Sequence, residues 1–132
     1  MSAIFSSQPG SSLPHDDEVT RLRVPPHSVE AEQSVLGGLL IDNSAWDRAG
    51  DLLNDSDFYR FEHKLIYAAV GKLINASKPA DVVTVFEELT SHGKAEDCGG
   101  LAYLNALAQS VPSAAHLRRY AEIVRERAVR RK

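Results

Sequence analysis

The stretch RVPPHSVEAEQSVLGGLLID, residues 23–42, decides the fold because it contains a helix interrupted by two adjacent glycines. Prolines precede Ser28, a residue type favoured at helix N-caps, and acidic residues in the next turn match the positive end of the helix dipole. Apolar residues then recur at helical spacing, which predicts a helix over about 28–41. Gly37 and Gly38 lie inside that helix.

The two glycines have two competing explanations, a phosphate-binding loop or a close helix contact. A phosphate loop needs G-x-x-x-x-G-K-[ST], and a dinucleotide site needs G-x-G-x-x-G. Neither pattern occurs, and Gly38 is followed by two leucines. Each glycine costs a helix about 1 kcal/mol relative to alanine, a cost that is offset where a neighbouring backbone must come close. We therefore expect Gly37 and Gly38 to be structural, at a helix contact.

The rest of the chain shows helical apolar spacing broken by turn residues. No strand pattern competes, so the fold expected is an all-α, compact orthogonal bundle of about six helices. The domains expected are a disordered tail over 1–22, a helical globular core over 23–112, and the first arm of a truncated helical hairpin over 113–132. Three further helices are predicted over about 44–53, 61–76 and 81–91. A fifth helix should follow Gly99-Gly100, with Leu101, Leu104, Leu107 and Ala108 facing inward. A sixth should run from an N-cap at Ser113 to the end of the chain.

Composition and charge exclude several protein classes. The chain has 132 residues, 43% of them hydrophobic, and its only cysteine, Cys98, cannot form an intrachain disulfide. No apolar run approaches the ~18 residues of a membrane span. Residues 1–116 carry 8 basic and 16 acidic residues, whereas residues 117–132 carry 7 basic and 2 acidic residues. The acidic body disfavours non-specific DNA binding, and the basic end is either a solvated helix face or a contact for nucleic acid or an acidic partner.

No catalytic, cofactor-binding or metal-ligating set can be assembled from the sequence. The histidines are scattered and match no zinc motif, so we expect surface or capping roles for them. Glu62-His63 is interpreted as the start of an ordinary helix, and 55–57 as a solvated turn. Cys98 lacks the flanking residues of a thiol nucleophile. The sequence alone therefore predicts a binding or assembly module.

Four stretches, taken in order, carry a resemblance to a known family. PPHSVEAEQSVLGGLL (25–40) is similar to the start of the N-terminal domain of DnaB-type bacterial replicative helicases. DFYRFEHKLIYAAV (57–70), PADVVTV (79–85) and GGLAYLNALAQSVPSAAHLRRYAEIVRERA (99–128) match that family in the same order. The resemblance covers about residues 23–132.

The resemblance implies a parent protein that unwinds duplex DNA as a hexameric ring. ATP and Mg²⁺ would bind a C-terminal motor domain that is absent here, so the fragment itself would have no cofactor and no catalytic activity. The domain would form a collar from paired helical hairpins and would dock the helicase-binding domain of primase. The resemblance also implies contacts with other helicase subunits, with a helicase loader and, through the parent protein, with DNA. It implies a location in the bacterial cytoplasm and no membrane partner. A stand-alone helical adaptor, the helicase-binding domain of primase, and, third, an enzyme remain alternatives.

Partner contacts are expected on the last two helices. Tyr103 should point away from the inward face of its helix, because it follows Leu101 by about 200° of helical rotation. In the last helix an apolar stripe would be covered, in its distal part, by a second hairpin arm. Without that arm we expect fraying beyond about Arg125 and at most weak self-association. The candidate partner-surface residues are Tyr103, Leu117, Tyr120, Val124 and Ala128.

Overall fold

A computed structural model describes residue 25 and residues 27–132, and the tail predicted over 1–22 lies outside these residues. Six α-helices make up the described part of the chain, which contains no strand. Three short 3-10 helices, at Asn43–Ala45, Asp55–Asp57 and Glu96–Cys98, connect them. The α-helices are α1 (Val29–Ile41), α2 (Trp46–Ala49), α3 (Phe61–Asn75), α4 (Val82–Ser91), α5 (Gly100–Gln109) and α6 (Leu117–Arg131).

Helix α1 lies at the centre of the bundle and packs against α3, α5 and α6. Its N-cap is Ser28, whose hydroxyl accepts a hydrogen bond from the Ala31 N–H. A Cβ on Gly37 would overlap the backbone carbonyl of Leu107 in α5, and a Cβ on Gly38 would lie 2.8 Å from Cδ1 of Leu117 in α6. The glycine pair therefore lets α1 approach two neighbouring helices closely.

The segment after α1 is less helical than the sequence predicts. Instead of one helix over 44–53, a 3-10 turn leads into the four-residue helix α2. The Asp42 carboxylate accepts from the Ser44 N–H and caps the turn. The chain then leaves the helix after Ala49, whose carbonyl accepts from both Leu52 and Leu53. Local side-chain capping and a tight turn thus replace a longer helix.

Helices α3 and α4 pack against each other. Asp81 caps α4 through a reciprocal box, in which its carboxylate accepts from the Thr84 N–H and the Thr84 hydroxyl accepts from the Asp81 N–H. Asn43 ties the loop before α4 to α1: its amide group donates to the carbonyls of Leu39 and Ala80, and its oxygen accepts from the Ala80 N–H. Trp46 of α2 packs over Gly71 of α3, where a Cβ would meet the indole at 2.7 Å.

The last helix differs from its prediction at its start and in the burial of its distal half. Helix α6 begins at Leu117, not near Ser113, because the Ser113 hydroxyl accepts from the Ala115 N–H and forms a turn instead of a cap. The helix continues to Arg131, and the fraying expected beyond about Arg125 stays a prediction about the chain in solution. Its apolar stripe lies against α1, and the expectation of an uncovered distal half is wrong. The buried residues of α6 are Leu117, Ala121, Val124 and Ala128.

Candidate functional site

A polar cluster with a buried centre, which we call the polar hub, joins three helices at the start of α1. It consists of Glu32 and Gln33 of α1, His63 of α3 and Tyr103 of α5. The Glu32 Oε1 atom lies 2.7 Å from His63 Nδ1, and His63 Nε2 lies 2.6 Å from the Tyr103 hydroxyl oxygen. Gln33 Nε2 donates to the same hydroxyl at 3.3 Å. The hub therefore connects residues that are far apart in sequence.

Helical spacing places each member of the hub. Glu32 precedes Val35 and Leu36 by three and four residues, so it lies on the buried face of α1. His63 precedes Ile66 and Tyr67 on the buried face of α3 in the same way. The first turn of each helix thus brings a polar side chain to the level where the apolar core begins.

Backbone groups complete the coordination of the Glu32 carboxylate. The Tyr59 N–H donates to Oε2 at 2.7 Å, and the Arg60 N–H donates to Oε1 at 3.4 Å. The Phe58 ring meets the His63 imidazole edge-on, with centroids 6.5 Å apart. A carboxylate removed from water needs such donors, since an unpaired buried charge is strongly destabilising.

The donors and acceptors of the hub fit one arrangement of protons. Gln33 donates to the Tyr103 hydroxyl, which donates to His63 Nε2, while His63 Nδ1–H donates to Glu32. The Glu32 carboxylate, both ring nitrogens of His63 and the Tyr103 hydroxyl then each have a partner. A carboxylate, an imidazole and a hydroxyl in series also occur in acid-base catalysis. Here, however, Glu32 is 1% exposed and His63 is 0% exposed, so a substrate cannot reach the imidazole. The arrangement stabilises the junction of the three helices.

A second buried carboxylate, Asp57, connects the turn before α3 to α6. Its Oδ1 accepts from Arg125 Nη1 at 2.8 Å, and its Oδ2 accepts from the Asn54 N–H at 3.0 Å. The Asp57 carbonyl accepts from Arg131 Nη2 at 2.6 Å. The prediction of a solvated turn over 55–57 is therefore wrong for Asp57, which is 1% exposed.

The partner-surface candidates fall mostly inside the fold. Leu117, Val124 and Ala128 are buried in the chain's own core, so they are not open to a partner in this conformation. Tyr103 does not point away from the bundle: it is half-buried, with its ring stacked on His63 at 5.9 Å. Tyr120 is half-buried and remains a candidate.

The surface around Tyr120 is a groove of about 460 Å³ between the start of α1, the end of α5 and α6. Ser34, Ser110 and Ile123 line it together with Tyr120. A second groove, of about 290 Å³, lies between α3 and α4 over Leu65. Both are open depressions of a size that suits side chains of a partner protein.

Glu88 and Cys98 are among the titratable groups whose pKa values are shifted by their surroundings. Lys72, which bonds Glu88 at 2.9 Å, and His92, at 2.7 Å, hold the pKa of the Glu88 carboxyl below its ordinary value. Burial under α3 and α5 raises the pKa of the Cys98 thiol to about 11. A thiol so rarely ionised is a poor nucleophile or metal ligand.

The sequence alone does not reveal the hub, because each of its members also fits a local role. Glu32 was interpreted as an acid near a helix dipole, and His63 as a surface histidine. The available signal was their register, since both lie at the i−3 or i−4 position of buried residues. The pairing partner of each could not be inferred, because it requires the crossing geometry of the helices.

Metal and membrane features are absent from the part of the chain that the structure describes. No group of three or more His, Cys, Asp or Glu side chains is placed to hold a metal ion there. None of the helices at residues 27–132 has the length and apolar character needed to cross a bilayer.

Comparisons with known proteins agree on one family. A model described as the DnaB-like helicase N terminal domain matches residues 24–126. The replicative DNA helicase DnaB of Buchnera aphidicola subsp. Baizongia pistaciae is 44% identical over 117 residues, which cover 89% of this chain and 25% of that relative. The replicative DNA helicase DnaB of Geobacillus stearothermophilus is 43% identical over 110 residues, or 83% of this chain and 24% of that protein.

A solved structure supports the same relationship. The crystal structure of the N-terminal domain of DnaB helicase from Mycobacterium tuberculosis aligns with a TM-score of 0.80 and 42% sequence identity. The alignment covers 82% of this chain and 75% of that chain. By contrast, the chain spans only about a quarter of the length of the curated relatives that it matches.

Proposed function

Because the chain belongs to the family of DnaB-like helicase N-terminal domains, we propose that it is the assembly and primase-docking domain of a replicative DNA helicase. In this role it forms part of a collar on a hexameric ring and binds the helicase-binding domain of primase. The observation that carries the proposal is the family match over residues 24–126, which includes all six α-helices except the end of the last.

The physical character of the described residues supports a docking role. The hub and the buried core fix one rigid arrangement of helices, which is the property expected of a platform for other proteins. Open grooves lie on two sides of this platform. Residues 1–116 carry twice as many acidic as basic residues, a balance better suited to protein partners than to the phosphate backbone.

ATP and Mg²⁺ chemistry belongs, in this proposal, to a motor domain of the parent helicase. The present chain contains no Walker sequence, so its residues would act by binding alone. Holding primase on a separate tier keeps it near newly unwound DNA at a high effective concentration without obstructing the motor.

Titration calorimetry with the isolated helicase-binding domain of the cognate primase tests the proposal. We expect saturable binding of the primase domain to this chain, and we expect no ATP turnover by the purified chain. Absence of binding to primase, both for this chain and for the full-length helicase carrying it, would contradict the docking role. ATP hydrolysis by the purified, nuclease-free chain would contradict the assignment of ATP chemistry to the motor domain of the parent helicase.

A further inference from the structure

The polar hub and helix α6 meet at one short segment, residues 54–60, which we call the acidic corner. Asp57 is the centre of this segment, and its side chain is 2% exposed. Its two carboxylate oxygens are both used, one by Arg125 of α6 and the other by the Asn54 N–H. The corner therefore binds α6 through a carboxylate that has no access to water as a substitute partner.

A second contact fixes the end of α6 to the same segment. Arg131 donates to the Asp57 carbonyl, and its guanidinium carbon lies 5.5 Å from the centroid of the Tyr59 ring. His27 also stacks on Tyr59, with ring centroids 4.0 Å apart. The last turns of α6 thus rest on the corner through both an ion pair and an aromatic contact.

The other end of the corner is held by the hub. The N–H groups of Tyr59 and Arg60 donate to the Glu32 carboxylate, which also binds His63. From Asp57 to Arg60 the chain is therefore held on one side by α6 and on the other by α1 and α3. Only the buried residue Phe58 separates the residue bonded to α6 from the first residue bonded to Glu32.

We propose that the acidic corner is a latch that couples the position of the distal half of α6 to the polar hub. If α6 moves away, Asp57 either stays in place without Arg125, keeping the Asn54 N–H as its donor, or it follows Arg125 and draws the Tyr59 and Arg60 amides off Glu32. Both outcomes are costly, because each takes hydrogen-bond donors away from a buried carboxylate. The coupling is independent of the proposed function and applies to the isolated chain.

With this latch, α6 is either bound to the acidic corner or released from it. By thermodynamic linkage, the hub affects the position of α6 as much as α6 affects the hub. A partner that pulls on α6, or that binds its arginines, would loosen the hub at the junction of α1, α3 and α5. Conversely, weakening the hub would release α6. The reciprocal effect separates a latch from two unrelated contacts.

Hydrogen exchange and histidine NMR on the whole chain test the latch from both ends. Tyr103→Phe removes only the hydroxyl from the hub, and we expect exchange of the amides at 124–131 to rise about tenfold, the scale of one lost bond in a buried network. Arg125→Met removes the α6 end, and we expect the ring resonances of His63 to shift. Arg118→Met is the matched control, because Arg118 is exposed on α6 and bonds only Glu122 at 3.7 Å. It should change neither readout.

Three results would overturn the proposal. Tyr103→Phe could accelerate exchange near the hub while residues 124–131 keep the wild-type rates. Arg125→Met could release α6 while the His63 resonances stay in place. A uniform rise that includes helix α4, which takes no part in the hydrogen bonds of the corner described above, would indicate general destabilisation without coupling. If Arg125→Met does not fold, Asp57→Asn replaces it, since it keeps the shape of the side chain and its bond from Asn54 while removing the charge; the same shift of His63 is then expected, and its absence counts against the latch.

Discussion

Glu32 and His63 lie 31 residues apart in sequence, and their side chains meet at 2.7 Å with essentially no exposure to solvent. The pair is the point at which α1, α3 and, through Tyr103, α5 are joined. Such a pair contributes little net stability compared with an apolar contact, but the loss of one partner is costly. It therefore fixes how the helices are arranged more than how stable they are.

Glu32→Ala should lower the free energy of unfolding by about 3–5 kcal/mol, the range for breaking a buried pair. The change leaves His63 and two backbone N–H groups without their acceptor. Glu30→Ala is the matched control, because Glu30 lies in the same first turn of α1 but is exposed. It should cost less than about 1 kcal/mol, the contribution of a surface acid to the helix dipole. Urea unfolding followed by circular dichroism measures both; equal losses would show that the hub is not what holds Glu32.

Gly37→Ala and Gly38→Ala should change the free energy of unfolding by different amounts, or in opposite directions. The new methyl at position 37 overlaps the backbone carbonyl of Leu107, which cannot rotate away, so we expect a loss of about 1–3 kcal/mol. At position 38 the obstacle is the end of the Leu117 side chain, which can move. The gain of about 1 kcal/mol in helix propensity should offset much of that cost. Thermal melts that rank Gly38→Ala as the more damaging variant would contradict the packing explanation.

Asn43→Ala should destabilise the chain by about 1–3 kcal/mol, the cost of leaving buried backbone groups unpaired. Asn43 makes three hydrogen bonds that tie the loop before α4 to α1. Asn105→Ala, at an exposed position of α5, serves as the comparison and should be neutral or slightly stabilising. Chemical denaturation of the two variants gives the difference in their free energies of unfolding. Similar midpoints would mean that the hydrogen bonds of Asn43 do not stabilise the fold.

Stability at alkaline pH should depend on Cys98. Its folded-state pKa is raised to about 11 by burial, above the ordinary value near 9. The contribution to stability is complete below pH 9 and is lost as pH rises towards 11, since only the unfolded chain ionises its thiol in that window. Subtracting the pH profile of Cys98→Ser from that of the wild type isolates this contribution. A difference that stays flat from pH 8 to 11 would mean that the thiol is accessible in the folded chain.

Helix identity was predictable where caps and periodicity agree. Ser28 and the spacing of the α1 leucines place that helix, and α3 and α4 also begin and end within about one residue of prediction. Prediction failed where a hydroxyl had two uses. The sequence predicts a helix cap at Ser113, but its hydroxyl closes a turn, and the helix starts four residues later.

The inward face of α5 shows why a leucine pattern alone is not sufficient. Leu101 was predicted inward and Tyr103 outward, yet Leu101 is 41% exposed and Tyr103 packs against the core. The apolar body of a tyrosine can be buried when its hydroxyl finds a partner, and here His63 supplies it. Neither residue could be placed without knowing that α3 presents an imidazole at that level. The same holds for the burial of α6, because the sequence does not show that α1 already covers its stripe.

The packing of the Trp46 indole against Gly71 has a practical consequence. Trp46 is the chain's only tryptophan, and its indole lies 5.0 Å from the Tyr67 ring, in contact with the backbone of α3. Intrinsic fluorescence of the protein, excited at the indole band, therefore comes from one site whose environment depends on the contact between α2 and α3. Every variant described above leaves this reporter unchanged, so emission from a single residue can follow unfolding of the bundle without any added dye.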